Sequence, residues 1–254
     1  MINEFKAFHK AETNFFSLVS FTQINHGNLI AFATGVQASG LNPAIVNQVD
    51  ESFSTSLTAC QSFYRQKNLP WALVLPQYFY DEIVESLLQQ HTLQLTGKGV
   101  AMATLIKNIQ FPSLNAPFKI SEMQADLHTW SIPLIYGFES TPEVTEVYTT
   151  RHQQASKTNK SLYHFSGFVN DSVVCSLSLS LCEGNARIDD VATMPAYQKR
   201  GYATWLIYAA LKHAQELNID TCFLEASDSG LSLYKKIGFN ELFINRYYEE
   251  LLVK

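Results

Sequence analysis

Gln198, Lys199, Arg200, Gly201, Tyr202 and Ala203 stand in a row inside "MPAYQKRGYATW" (194–205). A strand-like run precedes them and a helix-like run follows. A turn that opens a helix leaves its first backbone N–H groups without partners, at the positive end of the helix dipole, and so makes an anion site. Gly201 removes a Cβ that would block close approach, and Ala203 keeps the next contact position small. Successive amides in such a turn form a nest for phosphate oxygens, with Gln198 and Arg200 as side-chain donors at the rim. The stretch has one glycine and no GK[ST] ending, which excludes a P-loop NTPase and a dinucleotide fold.

The elements that must position this turn follow from periodicity. "SLYHFSGFV" (161–169) and "VVCSLSLSLC" (173–182) read as strands joined at Asn170-Asp171-Ser172. In the second, Cys175, Leu177, Leu179 and Leu181 alternate with Ser176, Ser178 and Ser180, so the serines form one face, either lining a cleft or facing solvent. "ARIDDVATM" (186–194) is a third strand. From Ala203 the period changes: Leu206, Ile207, Ala210, Leu211, Ala214 and Leu217 mark an amphipathic helix ending near Asn218. "TCFLEA" (221–226) is a short buried strand, and "LSLYKKIGF" a helix closed by Gly238 in the left-handed position. "NELFINRYYEELLV" (240–253) ends as a strand. The first half carries a fainter copy of this order: a helix over 52–68, a strand over 69–76, a helix over 78–90 and a strand over 93–107. Between the halves, 108–125 holds Pro112 and Pro117 and no clear period, as a linker does.

Composition bounds the function. The 254 residues are 46% hydrophobic and 16% charged, ordinary for a packed globular chain, and the net charge of -5 argues against a nucleic-acid partner. Cys60, Cys175, Cys182 and Cys222 lack metal-ligand spacing and read as reduced, buried thiols. His152 and His164 have no companions at metal-ligand spacing, so no metal is expected. With no apolar run long enough to span a bilayer and no apolar leader, the expectation is a cytoplasmic protein without a membrane partner.

The Q-x-x-G-x-A turn after "VATMP", followed by "LYKKIGF", resembles the GNAT superfamily of acetyl-CoA-dependent acetyltransferases, in which loop amides hold the CoA pyrophosphate. The likeness covers roughly 130–254, and the two-copy layout is similar to members with a degenerate N-terminal copy. It implies a mixed α/β fold of two GNAT-like domains, each a mostly antiparallel sheet flanked by helices. Residues 1–110 would form the degenerate domain, 111–127 the linker and 128–254 the catalytic domain. It implies a strand at 191–193 parting from 222–226 to admit the pantetheine arm. Cofactor contacts would come from Val191, Ala192, Thr193, Gln198, Lys199, Arg200, Gly201, Tyr202, Ala203, Thr204 and Ser227. The Val191 N–H would polarise the thioester carbonyl and Tyr234 would protonate the departing thiolate. Cys222 stands where many members carry a carboxylate base, leaving Asp189, Asp190 and Glu225; Asp189 and Glu225 are preferred. Asp189 and Asp190 cannot both address one face unless the strand bulges. The resulting expectation is an N-acetyltransferase acting on an unidentified amine, as a monomer or homodimer. The alternatives are a non-catalytic acyl-CoA-binding module and a transferase using another acyl-CoA.

Overall fold

The computed structural model describes residues 2–113, 118–124 and 126–250. Pro117 and residues 251–253 of the expected linker and last strand lie outside them. In chain order the elements begin with α1 (Ile2–Val19), β1 (Thr22–Asn25), β2 (Leu29–Ala33), β3 (Pro43–Val46) and α2 (Phe53–Lys67). β4 (Ala72–Pro76), α3 (Glu82–Gln90), β5 (Leu93–Leu105) and β6 (Lys119–Glu122) follow, then α4 (Leu127–Gly137) and α5 (Pro142–Thr158). The rest is β7 (Leu162–Val169), β8 (Ser172–Cys182), β9 (Asn185–Thr193), α6 (Tyr202–Glu216), β10 (Thr221–Ala226), α7 (Leu231–Ile237) and β11 (Asn240–Glu250). Among the described residues no helix is long and apolar enough to cross a membrane.

The chain forms two compact units, Met1–Val19 with Met102–Leu242, and Ser20–Ala101 with Phe243–Lys254. These groupings depart from the boundaries 1–110, 111–127 and 128–254. The first helix groups with the later part of the chain because its stripe of Phe8, Ala11, Phe15 and Val19 is buried there, with Phe8 edge-on to Phe223 at 5.9 Å. The expected linker holds β6, which pairs antiparallel with β7 from Lys119↔Phe168 to Glu122↔Phe165. β11 pairs antiparallel with β4 through Asn245–Tyr248.

Each unit repeats one topology. In the larger, β7, β8 and β9 run antiparallel in turn, and β10 then pairs parallel with β9 after the crossover helix α6. In the smaller, β1, β2 and β3 run antiparallel in turn, and β4 pairs parallel with β3 after α2. The local signals explain the turns. Asn170 and Asp171 take φ of 48° and 61°, the twist that a two-residue hairpin demands. Gly238 closes α7 at φ 118°, its N–H donating to Tyr234 O at 3.1 Å. The serine face of β8 is not solvated: Ser176 and Ser178 are fully buried, and α1 and α4 pack on this strand. Small side chains let the helices approach, and Ser166 with Ser176 and Ser178 with Asp190 satisfy one another.

Candidate active site

The turn from β9 into α6 leaves a bare helix start. Lys199 and Gly201 both take left-handed φ, 60° and 84°, folding successive amides toward one side. No side chain caps α6 at Gly201, and the first helical bond runs from Trp205 N–H to Gly201 O at 3.1 Å. The amides of Tyr202, Ala203 and Thr204 therefore present the positive end of the helix outward. A Cβ on Gly201 would meet only Trp205 Nε1 at 4.0 Å, so the ground before the helix is open. Gln198 donates to Thr193 O at 3.2 Å and ties the turn to the end of β9.

β9 and β10 part beside this turn. Their pairing ends at Ile188↔Leu224, although β9 continues to Thr193 and β10 to Ala226. Val191, Ala192 and Thr193 thus line one lip of the gap and Glu225 the other. Where the strands part, β9 bulges: Ser176 faces Ala192 and Ser178 faces Asp189, leaving Asp190 and Val191 opposite Leu177 alone. Asp190 sits at φ 59°, and Trp130 Nε1 donates to Leu177 O at 2.9 Å. The bulge lets Asp189 and Asp190 turn toward the same helical layer.

Their surroundings differ. Arg187 Nε donates to both oxygens of Asp189 at 3.0 Å, and Arg187 Nη2 lies 3.9 Å from Glu12 of α1. Asp190 is held by neutral donors, Tyr148 Oη at 2.9 Å and Ser178 Oγ at 2.5 Å. Burial pushes the Asp190 carboxyl up to about 7, with the neighbouring Asp189 charge adding to it. Burial raises Asp189 to about 6, against the pull of Arg187. Behind Asp190, His152 Nε2 lies 3.7 Å from Oδ2, and His152 Nδ1 and His164 Nε2 are 2.8 Å apart. Both rings pack on Trp130 with centroids at 4.7 Å. Desolvation holds both histidines neutral, His164 down to about 3.

Tyr234 is 7% exposed, with its ring against Gly230, where a Cβ would come within 2.9 Å of it. Burial, then the Asp189 charge, raises its phenol and keeps it protonated. Asp189 also senses Glu225, so Asp189, Glu225 and Tyr234 share one electrostatic neighbourhood. Ser227 Oγ pairs with Ser229 Oγ at 3.0 Å just after β10. Cys222 is fully buried and burial pushes its thiol far up, which suits a core residue and not a nucleophile. Tyr148, His152 and His164 were not marked by sequence spacing as parts of a site. His164 stands out between Tyr163 and Phe165 in a strand-like run, whereas Tyr148 and His152 fall in a polar helical run that gives no signal.

Residues 125–239 match the acetyltransferase (GNAT) family. That segment is similar to the GNAT superfamily of acetyltransferases. A [ribosomal protein bS18]-alanine N-acetyltransferase of Haemophilus ducreyi is 31% identical over 78 residues, 28% of this chain and 54% of that protein. The chain spans about half the length of the curated relatives it matches. The fold is shared more widely. A GCN5-related N-acetyltransferase from Kribbella flavida superposes with a TM-score of 0.72 at 13% identity, covering 96% of this chain and 95% of that one. A tandem GNAT protein from the clavulanic acid biosynthesis pathway gives 0.59 at 11% identity, covering 87% and 77%.

Proposed function

We propose that this chain is an N-acetyltransferase that moves an acetyl group directly from acetyl-CoA to an amine bound in the same complex. The observation that carries the reading is the parting of β9 from β10 beside the uncapped, glycine-opened N-terminus of α6. That juxtaposition suits a cosubstrate with a pyrophosphate at one end of an extended arm. In this reading the amides of Lys199 to Thr204 hold the pyrophosphate, with Gln198 and Arg200 at its edge. Val191, Ala192 and Thr193 pair with the pantetheine arm, and Ser227 borders it. The amine nitrogen attacks the thioester carbon, and the Val191 N–H stabilises the oxyanion. The C–S bond then breaks, Tyr234 gives its proton to the leaving thiolate, and Tyr234 is reprotonated by the proton that the attacking nitrogen gives up, carried through solvent. Most of the acceleration comes from orientation and from preformed dipoles.

The smaller unit is proposed as a degenerate copy that binds no CoA. The position before α2 that corresponds to the phosphate turn is filled by the chain's own carboxylate. Asp50 accepts from Ser52 N–H at 2.8 Å, Ser52 Oγ at 2.7 Å, Asn28 Nδ2 at 2.9 Å and Gln48 Nε2 at 2.5 Å. These donors, Ser52 foremost, hold it down to about 2, so an anion already occupies the place.

The relative's acceptor, a protein alanine, makes α-amines the first class to test. An α-amine near pKa 8 offers far more free base at pH 7 than a lysine near 10.4. The experiment is thiol release with mass detection of the acetylated product, over α-amine peptides, lysine peptides, polyamines and small amines, beside calorimetric titration with CoA. About one CoA per chain and a product on one amine class are expected. Binding without transfer to any amine would convert the reading to an acyl-CoA-binding module, and two equivalent sites would remove the degenerate copy.

A further inference from the structure

Asp190 has features that neither the fold nor cofactor binding requires. A non-glycine residue in the left-handed region costs about 1–2 kcal/mol, and within a strand that conformation persists only where the surroundings enforce it. Here the enforcement is visible. Trp130 occupies the Leu177 carbonyl opposite the bulge, Ser178 and Tyr148 take one carboxylate oxygen each, and His152 closes in behind. His152 is fully buried, and its Nε2 has no hydrogen-bond partner among the described residues while facing Asp190 Oδ2. The Asp190 side chain keeps 8% exposure to solvent. Asp189 is also partly exposed, at 14%, but an arginine engages both its oxygens.

We infer that Asp190 takes up the proton of the attacking amine, and that the buried His152–His164 pair is a neutral, directional element that positions its carboxylate; this rests on the acetyl-transfer reading above. The amine N–H bond breaks as the C–N bond forms, an O–H bond forms on Asp190, and the proton leaves to water once the product departs. The histidines take no charge. With Asp190 ionised, the tautomers that fit are His164 Nε2–H donating to His152 Nδ1, and His152 Nε2–H aimed at the carboxylate. Each ring dipole then favours the charged form of Asp190, opposing the desolvation that burial imposes. The titratable groups facing this cluster are Tyr148 and His152 on α5, His164 on β7, and Arg187 and Asp189 on β9. Glu12 on α1 lies beyond Arg187, and Glu225, Cys222 and Tyr234 lie beyond Asp189. α4 and β8 contribute Trp130 and Ser178, which do not titrate.

The test compares kcat/KM against pH for wild type, Asp190→Asn, His152→Phe and His152→Gln, each shown to be folded and to bind acetyl-CoA. Asp190→Asn should lose about 10²–10⁴-fold at pH 7. His152→Phe removes the N–H aimed at the carboxylate, so its acid limb should move up by about one pH unit. His152→Gln, which can present an amide N–H near the Nε2 position, should bring the limb back. A lowered melting temperature with an unmoved limb in His152→Phe would make the pair mere packing. Should the variants not fold, ¹⁵N-histidine NMR of the wild type decides. The His152 signals should follow the ionisation of Asp190 while remaining those of a neutral ring, and flat signals overturn the proposal. The two readings fail separately. A wild type that acetylates no amine sinks the proposed function and this role with it, whereas a wild type that does, beside an Asp190→Asn of equal rate, sinks only the Asp190 assignment.

Discussion

Gly137 closes α4 directly over the strand proposed to carry the pantetheine arm, and replacing it with alanine tests how tightly that strand is set. A Cβ there would lie 2.8 Å from Ala192 Cβ, 3.3 Å from Ala192 Cα and 3.6 Å from Thr193 N. Carbon atoms rest at about 3.5–4.0 Å, so helix and strand must separate by roughly 0.7–1.2 Å. The atoms met are backbone and a β-carbon, with no flexible end to yield. Helix propensity works the other way, favouring alanine by up to about 1 kcal/mol and less at a last residue. Overpacking costs about 1–3 kcal/mol, so the clash wins. The expected net loss of roughly 0.5–2 kcal/mol lowers the melting temperature by about 2–6 °C. Displacing the strand that aligns the thioester should also cost up to about 10²-fold in kcat/KM. Differential scanning calorimetry and the acetyl-transfer assay read both effects, with Gly97→Ala as control because its Cβ meets nothing within 4 Å. A Gly137→Ala as stable as wild type refutes the packing argument. A destabilised variant with unchanged kcat/KM refutes the strand's part in alignment.

Gly201→Glu should abolish the thermal shift given by acetyl-CoA, while Gly201→Asn, which tolerates φ 84°, should retain most of it; equal loss in both would assign the effect to backbone strain. Tyr234→Phe should lower kcat by about 10²–10⁴-fold with cofactor affinity nearly intact, and a variant that turns over normally would leave Tyr234 a core residue. Stability should depend on pH through opposed groups. The depressed histidines contribute stability that is present above about 6.5 and is lost as pH falls, whereas the raised Asp190 and Asp189 make the fold more stable as pH falls through about 7 and about 6 respectively. The two effects nearly cancel between about pH 4.5 and 6 in wild type. Asp190→Asn should therefore show melting temperatures that drop with acidity there, by up to about 1.4 kcal/mol per pH unit, and parallel profiles would contradict the assignment.

Local order was legible where a local rule forces it. The alternation in β8, the helical stripe of α6 and the glycine that closes α7 all follow from spacing alone. The anion turn was equally plain, because glycine in a left-handed position and a bare helix end are properties of adjacent residues. Long-range pairing left weaker marks. The stripe Phe8, Ala11, Phe15 and Val19 carries helical spacing, yet nothing in it says that its partner surface holds Phe223. The same holds for β11, whose pairing with β4 joins distant parts of the chain. The serines of β8 read equally as cleft or solvent face, since only the packed helices decide. Two adjacent aspartates in a strand say that one must face away, unless a bulge intervenes. The bulge depends on Trp130 and Ser178, which no pattern links to Asp190.

The two helix starts differ in what the chain places before them. Both α2 and α6 follow a strand that pairs parallel with the next, so both place a positive helix end at the same point of the same topology. At α2 the chain answers that end itself. Asp50, Ser52 and Asn28 satisfy one another, and Ser56 Oγ adds bonds to His26 O at 2.6 Å and Asn28 Oδ1 at 2.9 Å. Of the amides at the start of α2, the cluster takes that of the cap residue, Ser52, which donates to Asp50 at 2.8 Å. At α6 no carboxylate takes that place: glycine stands at the cap, and Lys199 and Gly201 before the helix lie in the left-handed region. Neither cap side chain bonds its helix, so the difference lies in charge: a carboxylate stands before α2, and Lys199 and Arg200 stand before α6. Replacing Asp50 with glycine would not restore a second site, because Asn28, Gln48 and Ser52 would lose the acceptor they share and still close over the helix end.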